Sequence, residues 1–160
     1  MNRPALTSRP VLVAAALLLQ VVLLVVAVRP QLSARLGGTE YRLAVAPIDP
    51  IDPFRGAYVM LRYPDLPEAD NEPAGEVFVP LARDGGLWKG GRLERRRPAD
   101  RPYLACRTSG YGRLDCGVDS LFLPEDKARR VQDELAADRA AAVLRIDADG
   151  NAALVDVVPR

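Results

Sequence analysis

Two carboxylates three residues apart, Asp49 and Asp52, lie in the stretch PIDPIDPFRGAYVMLRY, residues 47–63 of this 160-residue chain. Paired carboxylates are the raw material of acid/base catalysis and of hard-cation sites. Prolines at 47, 50 and 53 impose the three-residue period of polyproline II, which sets the two acids on one ridge about 9 Å apart and Ile48 and Ile51 on another. With no third ligand nearby they read as loop carboxylates facing water. Asp52 with Arg55 is a candidate local ion pair, which contributes only about 0–1 kcal/mol when exposed. Two other constellations carry less. Ser33, after a long apolar run, and Lys89, on a candidate strand, would be the pair for serine/lysine hydrolysis, but no motif surrounds Ser33. Asp147, Asp149 and Asn151 resemble the start of a calcium loop, yet Val158 stands where the twelfth-position glutamate belongs. A tight turn is the better reading. The chain has no histidine, which excludes Ser-His-Asp and Cys-His catalysis, histidine metal ligands and a histidine pH switch. No metal or cofactor is expected.

The elements that position these residues begin with VLVAAALLLQVVLLVVAV, residues 11–28, apolar except for Gln20. Eighteen helical residues span about 27 Å, close to the ~30 Å hydrocarbon core of a bilayer. Residues 1–10 carry Arg3 and Arg9 and no acid, so they are expected to stay in the cytoplasm while the rest of the chain is exported. An uncleaved signal anchor is preferred to a cleaved signal, because the run is long and the only cleavage-like site, at Ser33-Ala34, is poor. Residues 29–38 read as a juxtamembrane linker ending in Gly37-Gly38.

From Thr39 the period becomes two. EYRLAVA and GEVFVPLA alternate, and Pro80 argues for an edge position. LWKGGRLERRR reads as a weaker strand, YLACRT and RLDCGV as a hairpin around SGYG, and AAVLRID and ALVDVV as a hairpin around ADGNA. Residues 124–138, opened by Pro124, Glu125 and Asp126, fit one helix whose stripe of Ala128, Val131 and Leu135 would lie on a sheet. In AYVMLRY, Ala57, Val59, Leu61 and Tyr63 point one way and Tyr58 and Met60 the other, as in a strand covered on both faces. Gly56 permits a turn into it. The fold class is therefore β-rich α+β: one N-terminal transmembrane helix, then a small, mainly antiparallel β domain over residues 39–160 with one covering helix.

Arg3 and Arg9 are the only charged residues before position 29, so 20 of the 22 basic residues face 21 acidic ones in the remainder. Such balance offers no general attraction for nucleic acid. The densest basic stretch, RLERRRPADR, is diluted by Glu94 and Asp100 and reads as a solvated hairpin. Cys106 and Cys116 make no metal-ligand pattern. With the hairpin turn centred near Tyr111 they fall opposite each other, in phase with Leu104, Leu114 and Val118. A disulfide is favoured in an oxidising compartment over two buried thiols.

Residues 47–63 resemble the signature of the GDYXXLXY family of membrane-anchored bacterial proteins, a motif similar to D-P-x-D-x-x-R-G-D-Y-V-x-L-x-Y. Asp49, Pro50, Asp52, Arg55, Gly56, Tyr58, Val59, Leu61 and Tyr63 occupy matching positions. GVDSLFLPE, residues 117–125, resembles a second family segment, Gly-Ile-Glu-x-Tyr-Phe-Val-Pro-Glu. The family's aspartate after the glycine is Ala57 here, which removes that carboxylate from any mechanism. The resemblance implies a membrane-tethered domain without a cofactor, acting beside multi-pass membrane proteins; with the topology expected from residues 1–10, that domain faces the periplasm from the bacterial inner membrane. A non-catalytic accessory or binding protein is the expected function, with residues 47–56 as contact surface. A membrane-tethered hydrolase using carboxylates or a Ser/Lys pair is the alternative.

Overall fold

The computed structural model describes residues 9–47, 58–70, 72–110, 112–122, 131, 134–135, 137 and 139–160. Helix α1, Arg9–Gly37, leads the chain, and its Pro10–Gly37 portion is long and apolar enough to cross a bilayer. Among the described residues ten strands follow: β1 (Thr39–Ala44), β2 (Ala46–Pro47), β3 (Tyr58–Arg62), β4 (Gly75–Asp84), β5 (Leu87–Gly90), β6 (Tyr103–Thr108), β7 (Leu114–Asp115), β8 (Ser120–Phe122), β9 (Ala140–Ile146) and β10 (Ala152–Pro159). They form a seven-stranded sheet in the order β10-β9-β1-β5-β4-β6-β7 and a three-stranded sheet in the order β2-β3-β8. The class is β-rich α+β, with every described pairing antiparallel except β1 with β5, where Leu43 faces Trp88.

The large sheet curls until its two ends meet. The turn between β9 and β10 reaches β6, where the Ala105 N–H donates to the Gly150 carbonyl at 2.8 Å and the Tyr103 hydroxyl donates to Ala148 at 3.1 Å. Gly150 has φ +79°, and a Cβ there would run into the Tyr103 ring, so this closure requires glycine. Leu43, Val45, Leu61, Val77, Val79, Leu104 and Leu144 fill the space enclosed, each essentially without solvent exposure. Of the helix expected over 124–138, Val131, Glu134 and Leu135 are described and helical. Val131 and Leu135 join the core, and Ala128 lies outside the described residues.

Two expectations are corrected. Residues 29–37 are not a linker: α1 runs on through Pro30 to Gly37. Pro30 supplies no N–H to the Val26 carbonyl, and the turns beyond it are held by packing against β9 and β10. Pro80 is not on an edge. It sits inside β4, where pairing passes from β6 to β5. Phe78 donates its N–H to Glu94, so Pro80, two residues on, turns its nitrogen to the same side. There it meets irregular residues 91–93, and only its carbonyl is used, by the Gly91 N–H at 2.7 Å. The weaker strand expected from Leu87 is the four-residue β5, followed by a single bridge at Glu94.

Candidate functional site

The strand that carries the tyrosine-rich motif is hydrogen-bonded on both sides. β2 pairs with β3 through Ala46 with Arg62 and Pro47 with Leu61, and β8 pairs with it through Tyr58 with Phe122, Val59 with Leu121 and Met60 with Ser120. Leu61 is 1% exposed, and its N–H donates to Asp119 at 2.9 Å. Tyr63 packs against the core and donates its hydroxyl to the Val118 carbonyl at 2.6 Å. Burial, helped by the Asp119 carboxylate, pushes that phenol far above its ordinary range, so it remains a neutral donor. The stretches 58–63 and 117–122 are thus two halves of one structural crossing.

Directly before the second half, Cys106 and Cys116 form a disulfide with Cα atoms 4.2 Å apart. Pairs Arg107 with Asp115 and Thr108 with Leu114 put the two cysteines opposite each other, as the hairpin register centred on Tyr111 predicts. Gly117, at φ +68°, then turns the chain toward Val118, its N–H held by the Asp115 carboxylate at 3.0 Å. A disulfide is consistent with an extracytoplasmic domain.

A family model described as GDYXXLXY protein matches residues 20–157. The chain belongs to the GDYXXLXY family. No curated protein and no solved structure matches it. Of the GDYXXLXY motif positions, Leu61 and Tyr63 are core positions, and Tyr58 and Val59 contribute backbone pairing. Asp49, Pro50, Asp52, Arg55 and Gly56 lie outside the described residues.

The other candidate residues are drawn into structural contacts. The Ser33 hydroxyl lies beside the Asp147 carboxylate and helps to lower its pKa, whereas Lys89 is ion-paired with Asp84 at 2.7 Å. The hydrogen bond and charge of Asp84, with the charge of Asp65, hold that ammonium above its ordinary pKa, the wrong direction for a general base. Asp147 accepts at Oδ1 from the N–H groups of Asp149 and Asn151 at 2.9 and 3.0 Å, and at Oδ2 from the Asn151 amide at 2.9 Å. Burial pushes its pKa up, but the bonds from Ser33, Asn151 and the backbone outweigh this and leave it below the ordinary value. Its lone pairs serve the turn. Among the described residues no three acidic, histidine or cysteine side chains gather as a metal would require.

The arginine-rich stretch is likewise engaged. Arg95 binds Glu72 and the carbonyls of Pro73 and Glu76, Arg97 pairs with Asp149 and lies 5.7 Å from the Phe78 ring centre, and Arg101 pairs with Glu94.

Two features escaped sequence reading. The first is a junction between α1 and the β9–β10 hairpin. Arg145 caps the helix, donating to the Arg35 and Gly38 carbonyls at 2.6 and 3.1 Å, and Ala34 is fully buried beneath it. A Cβ on Gly38 would press on the Ala34 carbonyl and come within 2.8 Å of the Ile146 nitrogen, so the chain crosses the hairpin at backbone contact. The second is a charged cleft of about 770 Å³ at the open end of β3, where Arg62, Asp65, Asp84, Lys89 and Arg160 converge. These residues are far apart in sequence, and no local pattern joins them.

Proposed function

We propose that this protein is an uncleaved, single-pass anchor carrying a non-catalytic accessory domain on the periplasmic face of the bacterial inner membrane. The observation that carries the reading is the junction of α1 with the sheet. Apolar residues 11–28 match a bilayer core, and the remaining nine residues of the helix rise about 13 Å above it. Those last turns supply Ala34 to the buried interior and the Arg35 carbonyl to Arg145, and Gly38, directly after the helix, supplies a second carbonyl. Removing the helix after Ala34 would uncover that interior. A domain joined to its anchor this way keeps one orientation to the bilayer, which suits action on a neighbouring membrane protein. Leu61 and Tyr63 are engaged in the core, so recognition within the motif falls to the segment with Asp49, Asp52 and Arg55.

Protein extracted from membranes should have the mass of the full chain, and a C-terminal alkaline phosphatase fusion should be active. A mature form beginning at Arg35 would overturn the anchor. A photo-crosslinker replacing Phe54 should capture a multi-pass membrane protein in native membranes, and Asp49→Ala with Asp52→Ala should weaken that capture without moving the melting temperature. A large loss of thermal stability from either change would make the loop a structural clamp and end the contact reading.

A further inference from the structure

Past the apolar run, residues 29–37 of α1 have two unlike sides. Toward the domain, Ala34 is fully buried, the Gln31 amide lies near Gly117, and Arg35 donates to the Leu154 carbonyl at 3.4 Å. On the side turned away, Arg29, Leu32 and Leu36 recur at the three- and four-residue spacing of one helix face. Leu32 is 51% exposed and Leu36 74%, whereas the most exposed large apolar side chain between residues 11 and 28 is Leu18 at 68%. This side is continuous with the span. Leu24, Val25, Val28, Leu32 and Leu36 line one apolar groove of about 600 Å³, together with Arg29. The portion Pro10–Gly37 has 28 residues, about 42 Å of helix, against ~40–45 Å for a bilayer with its headgroups. The last turns therefore reach headgroup level and not open water.

We infer that these turns are a phospholipid-binding face: Leu32 and Leu36 enter the boundary between headgroups and acyl chains, and the Arg29 guanidinium donates to a lipid phosphate. This inference rests on the anchor reading above and extends lipid contact beyond residues 11–28. An arginine at this height lays its apolar stem along the leucines and carries its charge outward to the phosphates. A tilt of the common ~20° toward this side lowers both leucines further and holds the β domain on the opposite side. A partner helix fits the face less well, because helices in membranes meet closely through small residues, and Leu and Val dominate here. It would also have to supply an acid to Arg29, which the lipid phosphates replace.

The test places the full chain in vesicles of phosphatidylcholine and phosphatidylglycerol whose acyl chains carry bromine, a contact quencher of tryptophan fluorescence. The bromine lies either close to the headgroup or near the middle of the chain. Trp88, the only tryptophan, stays in place, and the emission of the parent protein is subtracted. Leu36→Trp should be quenched more by the shallow bromine than by the deep one, and adding Arg29→Glu should weaken that quenching. Leu17→Trp, within the apolar run, reports the span itself and should be quenched by the deep bromine. Quenching of Leu17→Trp without quenching of Leu36→Trp would overturn this inference and leave the anchor standing. In that case, blue-shifted emission from Leu36→Trp would mean that a second copy covers the face, and red-shifted emission that water does. Quenching in neither variant would overturn the anchor and this inference together. Undiminished quenching of Leu36→Trp in the presence of Arg29→Glu would overturn the phosphate contact.

Discussion

At the crossing of β3 with β8, apolar side chains leave water and one buried hydroxyl fixes the alignment. At the junction of α1 with the β9–β10 turn, most of the polar contacts run between a side chain and a backbone group. Leu61, Leu121 and the Tyr63 ring hold the first region by burial, and the Tyr63 hydroxyl bonds to Val118. Arg145 and Asp147 hold the second by directed bonds at partly exposed positions, with Ser33 beside the Asp147 carboxylate. Burial makes the first region a contributor to global stability. Directed bonds near water are individually weak in net terms, so the second region sets orientation more than it sets stability.

Substitutions can break that contrast. The largest effect should come from Leu61→Ala, which would cost about 2–5 kcal/mol through lost burial and a cavity, read as a lower denaturant midpoint. Replacing Cys106 and Cys116 together with alanine should cost about 2–3 kcal/mol, because the ten-residue separation closes only a short loop. A smaller loss would place the restraint in the β6–β7 pairing and not in the sulfur bridge. Tyr63→Phe should cost about 1–3 kcal/mol by leaving the Val118 carbonyl without its donor. Because the folded phenol pKa is raised above 10.0, its contribution is complete below that pH and is lost as pH climbs above it. The alkaline limb of the stability curve should therefore be shallower in Tyr63→Phe.

The smallest change in midpoint belongs to the junction, in Asp147→Asn. The folded carboxyl lies below 3.8, so its contribution is present above that pH and is lost as pH falls toward the lowered value. Between pH ~6 and pH ~3 the variant should lose less stability than the parent. Equal acid slopes would remove the carboxylate from the junction's energetics.

Much of this was legible from local signals. The apolar helix, the alternation in β1, β9 and β10, the Asp-Gly-Asn turn and the cysteine register are set by neighbours a few residues away, where side-chain period and turn chemistry act directly. The misreadings were those where a distant contact overruled a local preference. Pro30 and Gly37-Gly38 look like a break, but Arg145, more than a hundred residues on, caps a helix that runs through Pro30 to Gly37. Pro80 looks like an edge residue, yet the irregular segment at 91–93 leaves its missing N–H without consequence.

By itself, the sequence determined the fold class, the membrane-length helix, the absence of histidine chemistry and family membership through two motif segments. Only the tertiary structure decided that those segments form one crossing, that the apolar helix is built into the domain, and that five charged side chains share a cleft. Periodicity and turn residues report the chain's immediate surroundings. The parallel pairing of β1 with β5 and the meeting of Arg62 with Arg160 depend on how the whole sheet curls to bury its apolar face, and no short window of residues records that.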